Sequence, residues 1–358
     1  TTATKMKKEQ IPAIHAFRAF AIISVVAIHA FEFVFYYAGQ STGALHPWMP
    51  FVQKMNAMLF HSSTLYFALI SGILFSLILS NRGWKQFFIS KISYVALPYL
   101  IFTCLFTWRH YAFSGELTYF DNGIARYIES VTNNLYTGGA LFTFWYIPIL
   151  LVLYLGTPVI ASLLKHKQGK WPTRLVILLP LVISRVWPEL SWTNYVYFFG
   201  AYTLGMLAGS HYPEAIRFIQ RNHRTICLLA FGSSALILVL MMLDIQHLTI
   251  TDLQESAWYV QKISISALVL YWFERKLTRI PVWLGILGDY TFTLYFIHAY
   301  LLFALYDFFF TRGAVLNGLV ATLIFSIITL VATLLACAAI TYSLKAIFGK
   351  SSKYIIGA

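Results

Sequence analysis

Four ionisable side chains lie along the first apolar stretch of the chain: His15, Arg18, His29 and Glu32. Ionisable groups are expensive in hydrocarbon, so they face a cavity, a partner or a pathway more often than lipid. Arg18 and His29 are eleven residues apart in the sequence. On a helix that spacing is about three turns, which puts them on nearly one face and about 16 Å apart along the axis. A guanidinium near one membrane surface can hold a phosphate or polarise a carbonyl. An imidazole near the other can act as a base, and Glu32, one turn beyond His29, can accept its second ring N–H and raise its basicity. The plainer alternative has Arg18 snorkelling to the inner interface and His29 satisfied as an ordinary helix histidine.

The elements that must position these groups are membrane spans. Of 358 residues, 59% are hydrophobic, 18% aromatic and only 11% charged, with a mean hydropathy of +0.69. This composition excludes an ordinary water-soluble domain. About twenty apolar residues cross roughly 30 Å of hydrocarbon. Stretches of that kind lie near residues 13–36, 57–80, 90–108, 141–164, 174–190, 193–211, 224–244, 257–273, 287–310 and 318–347. The fold expected is an all-α integral membrane protein of about ten transmembrane helices, forming a single domain over residues 1–358. Its basic amino-terminal segment reads as the start of a first span, since no small-residue cleavage signal follows it. The fifth and sixth stretches are separated only by SWTN, and Pro180 and Arg185 interrupt the fifth, so a re-entrant pair also fits.

The formal net charge of +13 is spread over short clusters between the apolar stretches, which argues for topology and against nucleic acid. Lys5, Lys7, Lys8, Arg82, Lys85, Lys91, the cluster Lys165–Arg174, Arg217, Arg221, Arg224, Arg275, Lys276, Arg279, Lys345, Lys350 and Lys353 fall on one side. Glu116, Asp121, Glu129, Glu189, Asp244, Asp252 and Glu255 fall on the other. The positive-inside rule makes the basic side, with both termini, cytoplasmic. The long external connection 109–140 is amphipathic in places and reads as a cap over the membrane. Cys104, Cys227 and Cys337 lie in apolar runs with no pairing or metal-ligand spacing, so no disulfide and no metal is expected.

IHAFRAFAIISVVAIH, with Arg18 and His29, resembles the opening of the acyltransferase family 3 membrane enzymes, whose first helix carries an arginine, ten residues and a histidine. The likeness continues in order. FALISGILFS resembles the family's second helix, FFISKISYVALPYL its basic segment and proline-tyrosine third helix, FWYIPILLVLYL its tryptophan-led fourth, and LGDYTFTLYFIHAYLL its late tyrosine-histidine segment. The absence of an added esterase-like domain and the YIIGA ending are most similar to the intercellular-adhesin polysaccharide O-acyltransferases. Two departures stand out: His15 occupies the place where the family often has an aspartate, and Lys85 and Lys91 stand where many members carry paired arginines.

The resemblance implies a membrane-bound O-acyltransferase that moves an acetyl or succinyl group from cytoplasmic acyl-CoA to a hydroxyl of an extracytoplasmic polysaccharide. His29 would be the catalytic base, oriented by Glu32, and Arg18 with Lys85 and Lys91 would grip the CoA phosphates or pantetheine. Trp145 and Tyr146 would stack on a sugar or on the acyl-pantetheine arm, although an interfacial aromatic belt explains them equally. His298 matches a family position but can equally hold neighbouring helices through a hydrogen bond. His61 would line the outer mouth, where a lone histidine is also an ordinary interfacial residue. Membrane lipids, acyl-CoA and a polysaccharide are the expected partners, with a glycan synthase or a second copy of the chain as further ones, in a bacterial plasma membrane. The competing class is an exporter of polysaccharide or lipid-linked sugar, against which the lack of an inverted repeat or of paired broken helices weighs.

Overall fold

The computed structural model describes residues 12–42, 47–80, 83–114, 123–186, 190–245, 247–248, 250–312, 316 and 318–358. Of the charges used to orient the chain, Lys5, Lys7, Lys8, Arg82, Glu116, Asp121 and Glu189 lie outside the described residues. The chain is helical almost throughout. Helix α1 (Pro12–Thr42) is followed by α2 (Met49–Phe60), α3 (Thr64–Leu74), α4 (Trp84–Lys91), α5 (Leu97–Ser114), α6 (Gly123–Thr137), α7 (Tyr146–Lys165) and α8 (Lys170–Leu178). Then come α9 (Trp192–Ser210), α10 (Tyr212–Arg221), α11 (His223–Met242), α12 (Leu253–Lys276), α13 (Val282–Asp289), α14 (Thr291–Thr311), α15 (Leu319–Phe348) and α16 (Ser352–Ile355). The strands are a two-residue antiparallel pair, β1 (His247–Leu248) and β2 (Thr251–Asp252).

Among the described residues, seven helical stretches are long and apolar enough to cross a membrane: Pro12–Gln40, Met49–Leu79, Trp84–His110, Tyr146–Lys165, His223–Met242, Thr291–Phe309 and Leu319–Ile355. Two more of the ten expected stretches are long helices, α9 and α12, of 19 and 24 residues. Their faces carry Thr193, Asn194, Gln254, Gln261 and Lys262, and these polar side chains are buried against other helices. The fifth expected stretch is different: α8 gives way to a 3-10 turn over Leu179–Leu181, where Pro180 lacks a backbone donor, and the chain then runs on without regular structure to Val186.

Helix α1 sits in the middle of the bundle, packed against α3, α12, α13, α14 and α15. Its alanines, among them Ala16, Ala19, Ala21 and Ala30, are fully buried and let neighbouring backbones come close. That central position, rather than the span itself, turns His15, Arg18 and His29 inward, while Glu32 stays exposed. Helices α3 and α9 approach more closely still, through Gly72, Gly205 and Gly209, each facing backbone atoms of the other helix.

The second span is not continuous. It breaks at His61–Ser63, where Ser62 adopts a positive φ of 59°, and it ends in a π-helical turn over Phe75–Leu79. A broken helix inside a membrane frees carbonyls that need donors. Helix α12 supplies them: Gln261 Nε2 donates to the Met58 carbonyl at 3.0 Å, and the buried Lys262 Nζ donates to the Leu59 carbonyl at 2.7 Å. The third span also carries a π-helical turn, Ile92–Ala96, just before Pro98, whose ring crowds the carbonyl of the preceding turn.

On the opposite side from the basic clusters, the irregular segment after α8 is stitched to the start of α12. Ser184 N donates to the Ile250 carbonyl at 3.2 Å, Thr251 Oγ1 to the Val182 carbonyl at 2.6 Å, and Ser256 Oγ to the Leu181 carbonyl at 2.9 Å. Asp252 caps α12, accepting from the backbone N–H of Gln254 and of Glu255. In the 109–140 connection, α6 lies against α5, with Asn134 Nδ2 bonded to Thr107 Oγ1 at 2.9 Å and Tyr127 hydroxyl to the Cys104 carbonyl at 2.9 Å. The amphipathic cap read from the sequence is thus a helix, although residues 115–122 of the connection lie outside the described residues.

Candidate active site

Two cavities lie one above the other along α1. The one on the side of the basic clusters, called inner below, has a volume of about 200 Å³ and is lined by Arg18, Ser71, Lys91, Tyr146, Tyr154 and Tyr295 among others. The outer, of about 270 Å³, is lined by His29, Glu32, His61, Trp145, Arg185 and Tyr295 among others. Three turns of one helix therefore deliver Arg18 to one chamber and His29 to the other. Tyr295 borders both, and its hydroxyl donates to the Thr143 carbonyl. The start of α7 divides in the same way, with Trp145 on the outer wall and Tyr146 on the inner.

His29 stacks on His298, with ring centroids 5.5 Å apart and planes 28° apart, and takes the edge of Phe142 at 5.0 Å. His298 is fully buried and lines neither chamber. Its Nδ1 bonds the Leu294 and Tyr295 carbonyls at 3.0 and 2.9 Å. Carbonyls only accept, so Nδ1 carries a proton, and Nε2 has no hydrogen-bond partner among the described residues. Glu32 stands 3.9 Å from His29 Nδ1, beyond hydrogen-bond reach, and is half exposed. In this geometry the packing of His298 and Phe142 holds the His29 ring, and Glu32 stands at the cavity mouth without bonding it.

In the inner chamber, the acidic partner that the resemblance expects on α1 comes instead from α13. Asp289 acts on Arg18 through its charge and lies 3.5 Å from His15 Nε2, which also donates to the Gly285 carbonyl at 3.0 Å. Lys91 Nζ sits 4.3 Å over the Tyr154 ring. Tyr146 is buried, and its hydroxyl has no hydrogen-bond partner among the described residues. Lys85 is exposed near the start of α4 and is not brought to the chamber.

His61 and Arg185, which line the outer chamber, belong with the buried Glu255 behind them to a group not legible in the sequence. Arg185 Nε bonds Glu255 Oε2 at 2.9 Å, Glu255 Oε1 bonds His61 Nε2 at 2.9 Å, and Arg185 Nη2 also contacts His61 Nε2. Burial alone would raise the Glu255 carboxyl, but the Arg185 guanidinium and His61 hold it well below the usual carboxylate range. Arg185 read as an interruption in an apolar stretch and Glu255 as an external acid. An arginine inside such a stretch is itself a signal; its partner, 70 residues away, is not.

The fold and site are those of a helical, multi-pass membrane protein with a fixed cation in one chamber, a packed histidine in the other and one tyrosine bordering both. A family model described as an acyltransferase domain matches residues 11–342, nearly the whole chain. The chain belongs to acyltransferase family 3 and is a multi-pass membrane acyltransferase. Searches of curated proteins and of solved structures returned no match.

Proposed function

We propose that this acyltransferase takes an acetyl or succinyl group from acyl-CoA on the cytoplasmic side and transfers it to a hydroxyl of a polysaccharide outside the plasma membrane of a bacterium. The observation that carries the reading is the pair of chambers meeting at Tyr295, with Arg18 in one and His29 in the other. Acyl-CoA is cytoplasmic and a surface glycan is not, so the thioester has to meet its acceptor across the membrane, and two stacked chambers offer a route for a thin pantetheine arm.

Arg18 and Lys91 supply the positive charge that a phosphate or a thioester oxygen needs, Arg18 with a planar fork and Lys91 as a point charge. The unpartnered Tyr146 hydroxyl can donate to the thioester carbonyl and to the oxyanion that develops there. His29 removes the proton from the acceptor hydroxyl as the oxygen attacks the thioester carbon; the C–S bond then breaks and CoA leaves as its thiolate, which takes up the proton. Attack by His29 itself, through an acyl-imidazole, uses the same geometry.

The test is labelled transfer from acetyl-CoA and succinyl-CoA to a panel of β-linked glycan oligomers by purified protein. Arg18→Ala and His29→Ala should each abolish transfer while eluting as folded protein in detergent. Retained transfer by His29→Ala overturns its role. Flux of polymer through vesicles without acyl-CoA would point to export instead.

A further inference from the structure

The outer chamber has two walls, and only one carries His29. Across from it stand Arg185, Glu255 and His61, and none of the proposed chemical steps uses them. Arg185 and Glu255 are 8% and 7% exposed, so this is a built, desolvated group and not a surface ion pair. Breaking such a group by removing one partner is costly, which makes it an unusual way to line a pore wall unless polar contacts are needed there.

The charges facing this chamber compensate one another. Arg185 is neutralised by Glu255, Lys262 stands behind the wall with its Nζ on the Leu59 carbonyl, and Glu32 lies at the mouth. Among the described residues Arg185 is the one arginine or lysine that lines the chamber, and Glu255 pairs it, so no spare positive charge is left for an anionic ligand. The hydrogen-bonding capacity is nevertheless high. Arg185 has N–H groups beyond the one given to Glu255. Thr64 and Thr143 both line the chamber, and their hydroxyls are buried without a partner among the described residues. Rotation about χ1 exchanges hydroxyl and methyl, so either can be turned to a ligand. Trp145, with the Arg185 guanidinium 5.5 Å from its ring, adds a flat apolar face to the same chamber.

Hydroxyl donors and acceptors around an aromatic face, with no net charge, suit an uncharged sugar ring. We propose that the wall formed by His61, Arg185, Thr64 and Thr143, with Glu255 behind it, is the acceptor subsite, and that it takes a neutral, hydroxyl-bearing saccharide in preference to a uronate or a phosphorylated sugar. This rests on the reading of the protein as an O-acyltransferase to a glycan, and it deepens that reading by assigning the acceptor's chemical class. Specificity of this kind comes as much from withholding an unpaired cation from an anion as from the hydroxyls that bind a polyol.

The experiment is direct binding by the full-length protein in detergent, with no acyl-CoA present, so that its outcome is separate from whether transfer occurs. Titrations use cellopentaose as the neutral probe and a galacturonate pentamer as the anionic one. Cellopentaose should bind and the galacturonate should bind at least tenfold more weakly. Thr143→Val and Thr64→Val should each weaken cellopentaose about fivefold, the worth of one hydrogen bond. Because each removes a buried hydroxyl that has no partner, neither should lower thermal stability. His61→Gln should weaken the neutral probe as well and raise the KM for the acceptor. Equal or tighter binding of the galacturonate, binding of neither oligomer, or unchanged cellopentaose affinity in all three variants overturns the assignment. If cellopentaose binds as expected but His29→Ala still transfers acyl groups, the subsite stands and the catalytic assignment falls.

Discussion

Replacing Gly205 with alanine asks whether α3 and α9 are packed as closely as the structure has them. A Cβ at Gly205 would stand 2.1 Å from the Leu69 carbonyl oxygen and 2.9 Å from its carbon, all backbone atoms that cannot rotate away. Ordinary contact begins at 3.4 Å, so the helices must separate locally by about the difference, 1.3 Å. Overpacking of this kind costs roughly 1–3 kcal/mol, and each kcal/mol lowers the Tm of a chain of a few hundred residues by roughly 2–4 °C. Helix α3 carries Phe67, Ile70 and Ser71 on the wall of the inner chamber, so the same displacement widens the proposed donor site. Gly205→Ala should therefore lower the Tm by several degrees in detergent and raise the KM for acyl-CoA. Gly232→Ala is the control: a Cβ there meets nothing within 4 Å, and helix propensity makes the change neutral or stabilising by up to about 1 kcal/mol. A Gly205→Ala protein with the Tm and KM of the wild type would refute the close approach of α3 and α9.

The break in the second span depends on donors from α12, so Gln261→Leu, which orphans the Met58 carbonyl, should cost roughly 1–3 kcal/mol and show as a lower Tm; an unchanged Tm would mean those carbonyls find partners elsewhere. Tyr146→Phe removes a hydroxyl with no partner, so it should leave the Tm intact while lowering kcat on the order of tenfold or more if that hydroxyl meets the thioester oxygen. Lys91→Ala should raise the KM for acyl-CoA, and Lys85→Ala, outside the chamber, should not; a steady-state comparison with both decides it. Glu255 ionises below its ordinary range in the folded protein, so the stability its pairing contributes is complete above that range and is lost as the pH falls toward the folded value. Thermal unfolding from pH 7 to pH 3 should show the margin of wild type over Glu255→Gln constant down to about pH 5 and shrinking below it, whereas a margin that grows in acid would contradict the ion pair.

The sequence by itself determined that this is a helical membrane protein, because hydropathy over about twenty residues is a local quantity and the bilayer enforces it. It also determined that Arg18 and His29 share a face, since helical periodicity is local too, and the ordered run of landmarks along the chain was enough to recognise the family that the match over residues 11–342 shows. Helices α9 and α12 were legible as helices, but that their polar side chains Asn194, Gln261 and Lys262 are buried against neighbours is something no window of their own sequence reveals. Only the tertiary structure decided that α1 runs through the centre, that His298 rather than Glu32 packs on His29, and that Lys91 but not Lys85 reaches the chamber of Arg18. It alone joined Arg185 to Glu255 and His61, residues 70 and 124 positions apart from Arg185 in the chain. The physical reason is that a charge in an apolar stretch states a need for a partner, while the identity of that partner is settled by which helices pack together, and packing is a property of the whole chain.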